Sequence, residues 1–347
     1  MVSKKVLGLI VLTFVIWVSI IFYVGMGEIV ELLKTADLKY IPLVTSAYII
    51  GITGYAAGWQ VILHMQGLKL RNADVLKIVY SSVFFNEVTP TAAYGGEVAR
   101  VYFAVKKFGL DAGTVIAGTV AHRAIASVKN GIITLPLGIY LVLNYSVPWP
   151  IMIGLAVALT VNIGGWGILF FLGWNVKRAE RIVEKMIGLI SRIKKISPDK
   201  KDSIMETVET YNKGLKVLTK RKDLLLLLLV MMAFVWGAYG TLATYAFKAM
   251  RAPVDMEALF LIFTMYAIIR MIPTALPEFV SSKEAILFIF FSQTGYDPVL
   301  SAAVIALMRV SNLLAFIVIG GICTMMLGFK KSDLAEMTKV QSPGAGH

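Results

Sequence analysis

The chain has 347 residues, 58% of them hydrophobic, a mean hydropathy of +0.76 and a net charge of +13. That hydropathy excludes a soluble globular domain, and several apolar runs have the roughly 20 residues needed to cross a hydrocarbon core of about 30 Å. The positive charge does not describe a nucleic-acid surface: residues 173–222 alone hold fourteen Lys or Arg against six Asp or Glu, beside predicted spans, where basic residues mark the cytoplasmic side and attract anionic lipid head groups.

Val6–Val24 is the first predicted span, entered from a cytoplasmic Lys4–Lys5. No small-x-small cleavage site follows it, so it reads as a retained anchor. Gly25–Tyr40 is predicted as a slightly acidic outer loop, and Ile41–Leu63 as the return, landing on Lys69, Arg71 and Lys77. The next stretch is VLKIVYSSVFFNEVTPTAAYGGEVARVYFAVKKFG. Its apolar run, Ile78–Phe85, is too short to span; it halts at Asn86, Glu87 and Pro90, then at Gly95–Gly96, before a second short helix ends at Lys106–Lys107. Two half-length helices about a polar break predict a re-entrant hairpin over about 75–107 that enters and leaves on the cytoplasmic side. Irregular backbone at that depth requires surrounding protein or a wet cavity. The competing readings are a pair of kinked full spans and an interfacial helix.

Ala112–Leu143 is predicted to cross outward with a kink at Pro136, Asn144–Pro150 to turn beside Trp149, and Ile151–Leu172 to come back inside. Over residues 176–222, Ile182, Val183, Met186, Ile187, Ile190 and Ile193 recur at helical spacing with basic residues between them, and Ser197-Pro198-Asp199 breaks the pattern. This predicts a pair of amphipathic helices lying on the inner membrane surface rather than a nucleic-acid binder. Leu224–Phe247 crosses outward, a second broken segment occupies about 257–295, and Pro298–Leu327 crosses inward to Lys330–Lys331. The polar tail, 332–347, is expected to be disordered.

The fold expected is therefore an all-α polytopic membrane protein of about six full spans and two broken re-entrant hairpins. Charge counting divides it into two inverted-topology repeats, 1–143 and 144–331, the second carrying the helical insertion 176–222. Both termini fall on the cytoplasmic side of the cell membrane.

A repeated pattern supports the division. Pro90 is followed by Glu97, Gly109, Asp111 and Arg123; Pro277 is followed by Glu284, Gly295, Asp297 and Arg309, at spacings that agree to within one residue. An arginine well inside a span costs about 2.5–3.5 kcal/mol on insertion scales and must face a partner or a cavity. Its planar fork suits a phosphate. Arg123 and Arg309 are thus candidate head-group ligands, with Glu97, Glu284, Arg100 and Lys283 beside them; the alternative is that the arginines pair with Glu97 and Glu284 to lock the two halves together. Glu87, His122, Lys129, Arg270 and Glu278 are candidate supporting or proton-coupling groups, and Pro90, Gly95, Gly96, Pro273 and Pro277 are the structural breaks. Three histidines, none near another, and a single cysteine, Cys323, predict no metal site and no internal disulfide. With no Gly-rich phosphate loop, GxSxG or HExxH in the sequence, neither enzyme chemistry nor a cofactor is expected.

At these residues the sequence resembles the flippase-like membrane region of the lysylphosphatidylglycerol synthases. In that family the first motif runs Pro, Gly-Glu, Arg and then Glu-Arg-x-x-Asp; here Pro90, Gly96, Glu97 and Arg100 match, His122-Arg123 stands for Glu-Arg, and Ala126 replaces the aspartate. The second motif keeps Pro277, Glu284, Gly295 and Arg309, has Lys283 for an arginine and lacks its glycines. The resemblance spans about residues 75–325 and implies translocation of an anionic, aminoacylated or polyprenyl-linked lipid made by another protein, since no synthase domain is expected here. It implies membrane lipids as partners, no nucleic acid, and a lipid-modifying enzyme or a second copy of the chain as protein partners. A proton-coupled transporter of a small anion, and a non-transporting partner of a lipid-modifying enzyme, are the other readings the residues admit.

Overall fold

In the computed structural model, three helical stretches among the described residues are long and apolar enough to cross a membrane: Leu38–Met65, Leu225–Ala249 and Pro298–Met326. The structure describes residues 26–89, 95–144, 176–193, 198–269, 283–330 and 333, with seven isolated helical positions and Trp149 between 149 and 167. No strand occurs among them. In chain order the helices are α1 (Met26–Lys34), α2 (Ile41–Met65), α3 (Asn72–Val88), α4 (Gly95–Phe108), α5 (Ala112–Asn144), α6 (Val176–Ile193), α7 (Pro198–Thr219), α8 (Lys222–Ala249), α9 (Met256–Ile269), α10 (Lys283–Gln293), α11 (Pro298–Asn312) and α12 (Ile319–Met326).

The centre of the bundle is the pair α2 and α8, packed along each other. Glycines on α2 bring them close: a Cβ on Gly54 would stand 2.6 Å from Val235 Cγ2. They run antiparallel, because the Asp37 N–H just ahead of α2 donates to Ala249 O at the end of α8, 2.7 Å away. Their outward faces remain apolar; Leu226, Val230 and Phe234 recur every four residues on α8 and are all exposed. A contiguous exposed stripe of this kind suits hydrocarbon, not water.

Each broken segment leaves one end of this pair and comes back to it. The Gln66 side chain, at the end of α2, donates to Thr114 O in the first turn of α5 at 3.1 Å, so α3 and α4 make an excursion between those points. At the opposite end, Asp255 N–H donates to Tyr296 Oη at 3.1 Å, with Tyr296 packed on Phe247 at 4.4 Å, and α9 and α10 lie between. The four helices have 17, 14, 14 and 11 residues, about 16–26 Å at 1.5 Å per residue. All fall short of the roughly 30 Å core.

Gly109 and Gly295 end α4 and α10 at φ of 65° and 86°, the left-handed cap that stops a helix. Two residues later Asp111 and Asp297 start α5 and α11 by accepting from Thr114 N and Leu300 N at 2.7 and 2.9 Å. The repeated glycine and aspartate are therefore stop and start signals. Around the central pair, α2 and α8 each touch both α5 and α11; α3 packs on α12 and α9 on α5; α1 packs on α11 and α7 on α5.

Two expectations need correcting, one at α1 and one at the amphipathic pair. The stretch predicted as an outer loop, 25–40, contains α1 and a 3-10 turn, Leu38–Tyr40; Glu28 in the first turn and Lys34 in the last favour that helix, and Ile29 is buried. The last span crosses as predicted over 298–326 and passes through a π segment, Leu313–Val318, with no break in helical backbone. Helix α5 carries Pro136, the residue predicted to kink it, inside its range. The amphipathic pair α6 and α7 is not only a surface layer: Asn212 is fully buried, and a Cβ on Gly113 of α5 would lie 2.5 Å from Thr210. Val6–Val24, the stretch 270–282 and the tail beyond 333 lie outside the described residues.

Candidate functional site

The two copies of the pattern build the same contact. Arg123 is the twelfth residue of α5 and Arg309 the twelfth of α11, each about 17 Å along its helix, near mid-depth if the helices start at the membrane edge. Glu97 and Glu284 stand in the first turns of α4 and α10. Arg123 Nε donates to Glu97 Oε1, and Arg309 Nη1 donates to Glu284 Oε1 at 2.6 Å. The match extends to exposure: 21% and 10% for the Arg123–Glu97 side chains, 20% and 10% for Arg309–Glu284. In each case a carboxylate on a short helix is tied to an arginine on the following long helix. Among the described contacts each pairing lies within its own half, where the alternative reading expected a lock between the halves. Each pairing arises because the Gly–Asp turn folds each long helix back along its own short one.

The first half adds a buried polar cluster. Arg100, one turn after Glu97, is 1% exposed. Its Nη2 is 3.9 Å from Glu97 Oε1; Nη1 lies 3.3 Å from His122 Nδ1 and Nη2 reaches Ser82 Oγ at 3.4 Å. The rings of Tyr55 and Trp59 cover the guanidinium at 5.1 and 5.2 Å, a cation–π arrangement strengthened by desolvation. His122 is wholly buried and packs on Tyr55 with centroids 4.2 Å apart. Below it, Gly96 N–H donates to Asn86 Oδ1 at 2.7 Å, which satisfies one of the free donors of α4's first turn with a side chain from the end of α3. Residue 96 must be glycine because a Cβ there would stand 2.2 Å from Ser82 O.

Of the other predicted residues, Gly95 begins α4 and is buried, and Glu87 is 1% exposed in the last turn of α3. Lys129 lies half-buried on α5, two turns beyond His122. Lys283 is the first residue of α10. Pro90, Arg270, Pro273, Pro277 and Glu278 lie outside the described residues. Helices α4 and α5 do not pack against α10 or α11 within those residues; α2 and α8 stand between the two ion pairs. A cleft lined by Glu28, Glu31, Leu32, Met250, Ala252 and Asp297 opens where α1, α8 and α11 meet, and it contains none of the predicted site residues. Sequence reasoning missed Tyr55, Trp59 and Ser82. Tyr55 and Trp59 are four apart on an apolar helix, which is indistinguishable from core packing until Arg100 is placed under them.

Apolar spans with exposed outer faces, around buried ion pairs on short helices, define a multi-pass integral membrane protein. The chain belongs to the family of the lysylphosphatidylglycerol synthase TM region, whose model matches residues 5–320. It is 20% identical over 94% of its length to a UPF0104 membrane protein of Methanothermobacter thermautotrophicus, covering 96% of that protein. A UPF0104 membrane protein of Pyrococcus horikoshii is 22% identical over 92% of this chain and 96% of its own. A second such protein of M. thermautotrophicus is 24% identical over 88% and 89%. No solved structure matches the chain.

Proposed function

We propose that this protein translocates a lipid with an anionic, aminoacylated or polyprenyl-linked head group between the leaflets of the cell membrane, without catalysing a reaction on it. The observation that carries the reading is the doubled ion pair, Glu97–Arg123 and Glu284–Arg309. Arginines at that depth are costly unless used, and each is the right donor for a phosphodiester. Family membership places the chain among membrane regions associated with a lipid-making enzyme, which supports a lipid as cargo.

The two halves are read as inverted repeats, α2–α5 and α8–α11/α12, with both termini cytoplasmic. Exchanging α2 with α8, α3 with α9, α4 with α10 and α5 with α11 and α12 leaves the pattern of packing unchanged: α2–α5 becomes α8–α11, and α3–α12 becomes α9–α5. The antiparallel central pair and the two excursions from opposite ends agree with that operation. Inverted repeats with broken helices allow one half to rock against the other about a central site.

The test is reconstitution into liposomes carrying labelled phosphatidylglycerol in one leaflet. The wild type is expected to move label, and Arg123→Ala with Arg309→Ala to lose that activity; equal rates for the two, across anionic and polyprenyl-phosphate lipids, would falsify the reading. Orientation is tested separately in a Cys323→Ser background. Single cysteines replacing Lys69 and Pro253, both exposed and at opposite ends of the bundle, should label from the cytoplasmic and the outer side respectively.

A further inference from the structure

The two halves differ where their ion pairs are held. Three residues after Glu97 stands Arg100; three after Glu284 stands Leu287, buried at 1% exposure. One residue before Arg123 stands His122; one before Arg309 stands Met308, also buried. At the position where the first half places a second cation beside its carboxylate, the second half holds a leucine. That cation is unusual in its surroundings. Arg100 is sealed from solvent, held by two aromatic faces, His122 and Ser82, and lies 3.9 Å from a carboxylate bonded instead to Arg123. Its Nε, Glu97 Oε2, Tyr55 Oη, Trp59 Nε1 and His122 Nε2 are all buried and make no hydrogen bond. A buried guanidinium whose carboxylate stands 3.9 Å away, beyond hydrogen-bond range, recovers only part of its desolvation penalty, so a closer approach of Glu97 is favoured.

We infer that Glu97 is an exchangeable ligand that passes from Arg123 to Arg100 when the phosphate of an incoming head group takes its place on Arg123. This deepens the lipid-translocation reading and rests on it. The accessibility of the two arginines sets the roles: Arg123 is 21% exposed and Arg100 1%, so a ligand can reach the first and not the second. A phosphodiester and a carboxylate compete for the same donors of Arg123, since each presents two oxygens sharing one negative charge to the guanidinium fork. A displaced buried carboxylate with no cation to receive it would oppose binding by the cost of breaking a buried pair. Here the receiving guanidinium is in place, and closing 3.9 Å to the ~2.8 Å of a charge-assisted bond needs a shift of about 1 Å. The aromatic pair and His122 hold Arg100 still in the meantime, so the exchange moves the carboxylate and not the cation. Arg123 is thereby the phosphate-binding arginine, and Arg100 a positioning residue that never touches the lipid.

The exchange predicts an effect opposite to that of an ordinary binding-site carboxylate. Detergent-solubilised full-length protein is titrated calorimetrically with dihexanoyl phosphatidylglycerol and, in parallel, with inorganic phosphate. Glu97→Gln, isosteric and unable to compete for Arg123, should tighten phosphatidylglycerol binding about tenfold. Glu209→Gln, which changes net charge equally at an exposed position on α7 away from both ion pairs, should shift it less than about twofold. Arg100→Leu should weaken binding about tenfold in the wild-type background and leave the Glu97→Gln protein unchanged, because with no carboxylate to receive Arg100 has no role. Glu97→Gln takes the carboxylate from two arginines and can cost stability, so Arg100→Leu in the wild-type background tests the exchange independently: unchanged binding by that variant would overturn it as well. Weaker or unchanged binding by Glu97→Gln, or equal tightening by Glu209→Gln, would overturn the exchange while leaving translocation by the wild type intact. Tightening seen with inorganic phosphate but not with the lipid would support the exchange and overturn the lipid reading.

Discussion

Arg309 and Glu284 lie 25 positions apart in sequence and meet at 2.6 Å, each largely withdrawn from solvent. Removing one partner takes this short ion pair from the other. Arg309→Ala leaves a carboxylate that is 10% exposed with its cation gone, a loss expected to cost about 3–5 kcal/mol. Replacing both, as Glu284→Leu with Arg309→Met, removes the desolvation penalty along with the attraction and should recover most of that stability. Thermal melting in detergent reads the difference. A single Arg309→Ala melting with the wild type would show that the pair carries no structural weight.

The crossing of α3 and α4 depends on Gly96. A methyl group there would stand 2.2 Å from Ser82 O and 2.7 Å from the Asn86 amide, and backbone cannot yield as a flexible side chain can. Gly96→Ala should destabilise the protein by about 2–3 kcal/mol, within the usual range for overpacking. Gly237, inside α8, meets nothing within 4 Å; Gly237→Ala should stabilise by about 0.5–1 kcal/mol through helix propensity. Comparing the melting midpoints of the two variants separates a packing glycine from a tolerated one.

Much of this arrangement is legible in the sequence. Hydropathy located α2, α8 and the last span to within a few residues, because an apolar run of that length has few alternatives. The Glu–Gly–Asp–Arg spacing identified the ion-paired residues, since costly groups repeated in a membrane chain must be used. What the pattern could not say is which carboxylate meets which arginine. That follows from the left-handed glycines at 109 and 295 and the aspartate caps, which fold each half back on itself. The Tyr55–Trp59 cover over Arg100 was also hidden, because periodicity scores an aromatic residue identically whether it packs on leucine or on a cation. The short helix α1 was missed for a different reason: its 9 residues fall below what propensity alone can hold, and packing on α11 makes up the difference.

Acid should act at the rim of the bundle through Asp74. Arg71, bonded to it at 2.7 Å, holds the Asp74 carboxyl below the usual carboxylate range, and Lys77 at 3.1 Å adds to the effect. A carboxyl whose folded-state pKa is depressed contributes stability above its unfolded value, near 3.9, and loses it as pH falls through the folded value. The melting-midpoint gap between wild type and Asp74→Asn should therefore be constant from about pH 8 to 5 and shrink below about pH 4. A gap that widened on acidification would contradict the assignment.

Ser81 on α3 and Thr324 on α12 join opposite halves of the chain: their hydroxyls lie 2.7 Å apart across 243 positions. The helices are pressed together there, since a Cβ on Gly320 would stand 2.7 Å from Tyr80 O. Cysteines at both positions, in a Cys323→Ser background, should oxidise to a disulfide because the side chains already point at each other at short range. If translocation requires one half to rock against the other, this bridge ties the first hairpin to the last span and should stop lipid movement by at least about tenfold. Reductant should restore the rate, and each single cysteine should transport at close to the wild-type rate under both conditions. Full transport by the cross-linked protein would mean that α3 and α12 move as one body, and the moving boundary would then have to lie between α5 and α9 or along the central pair.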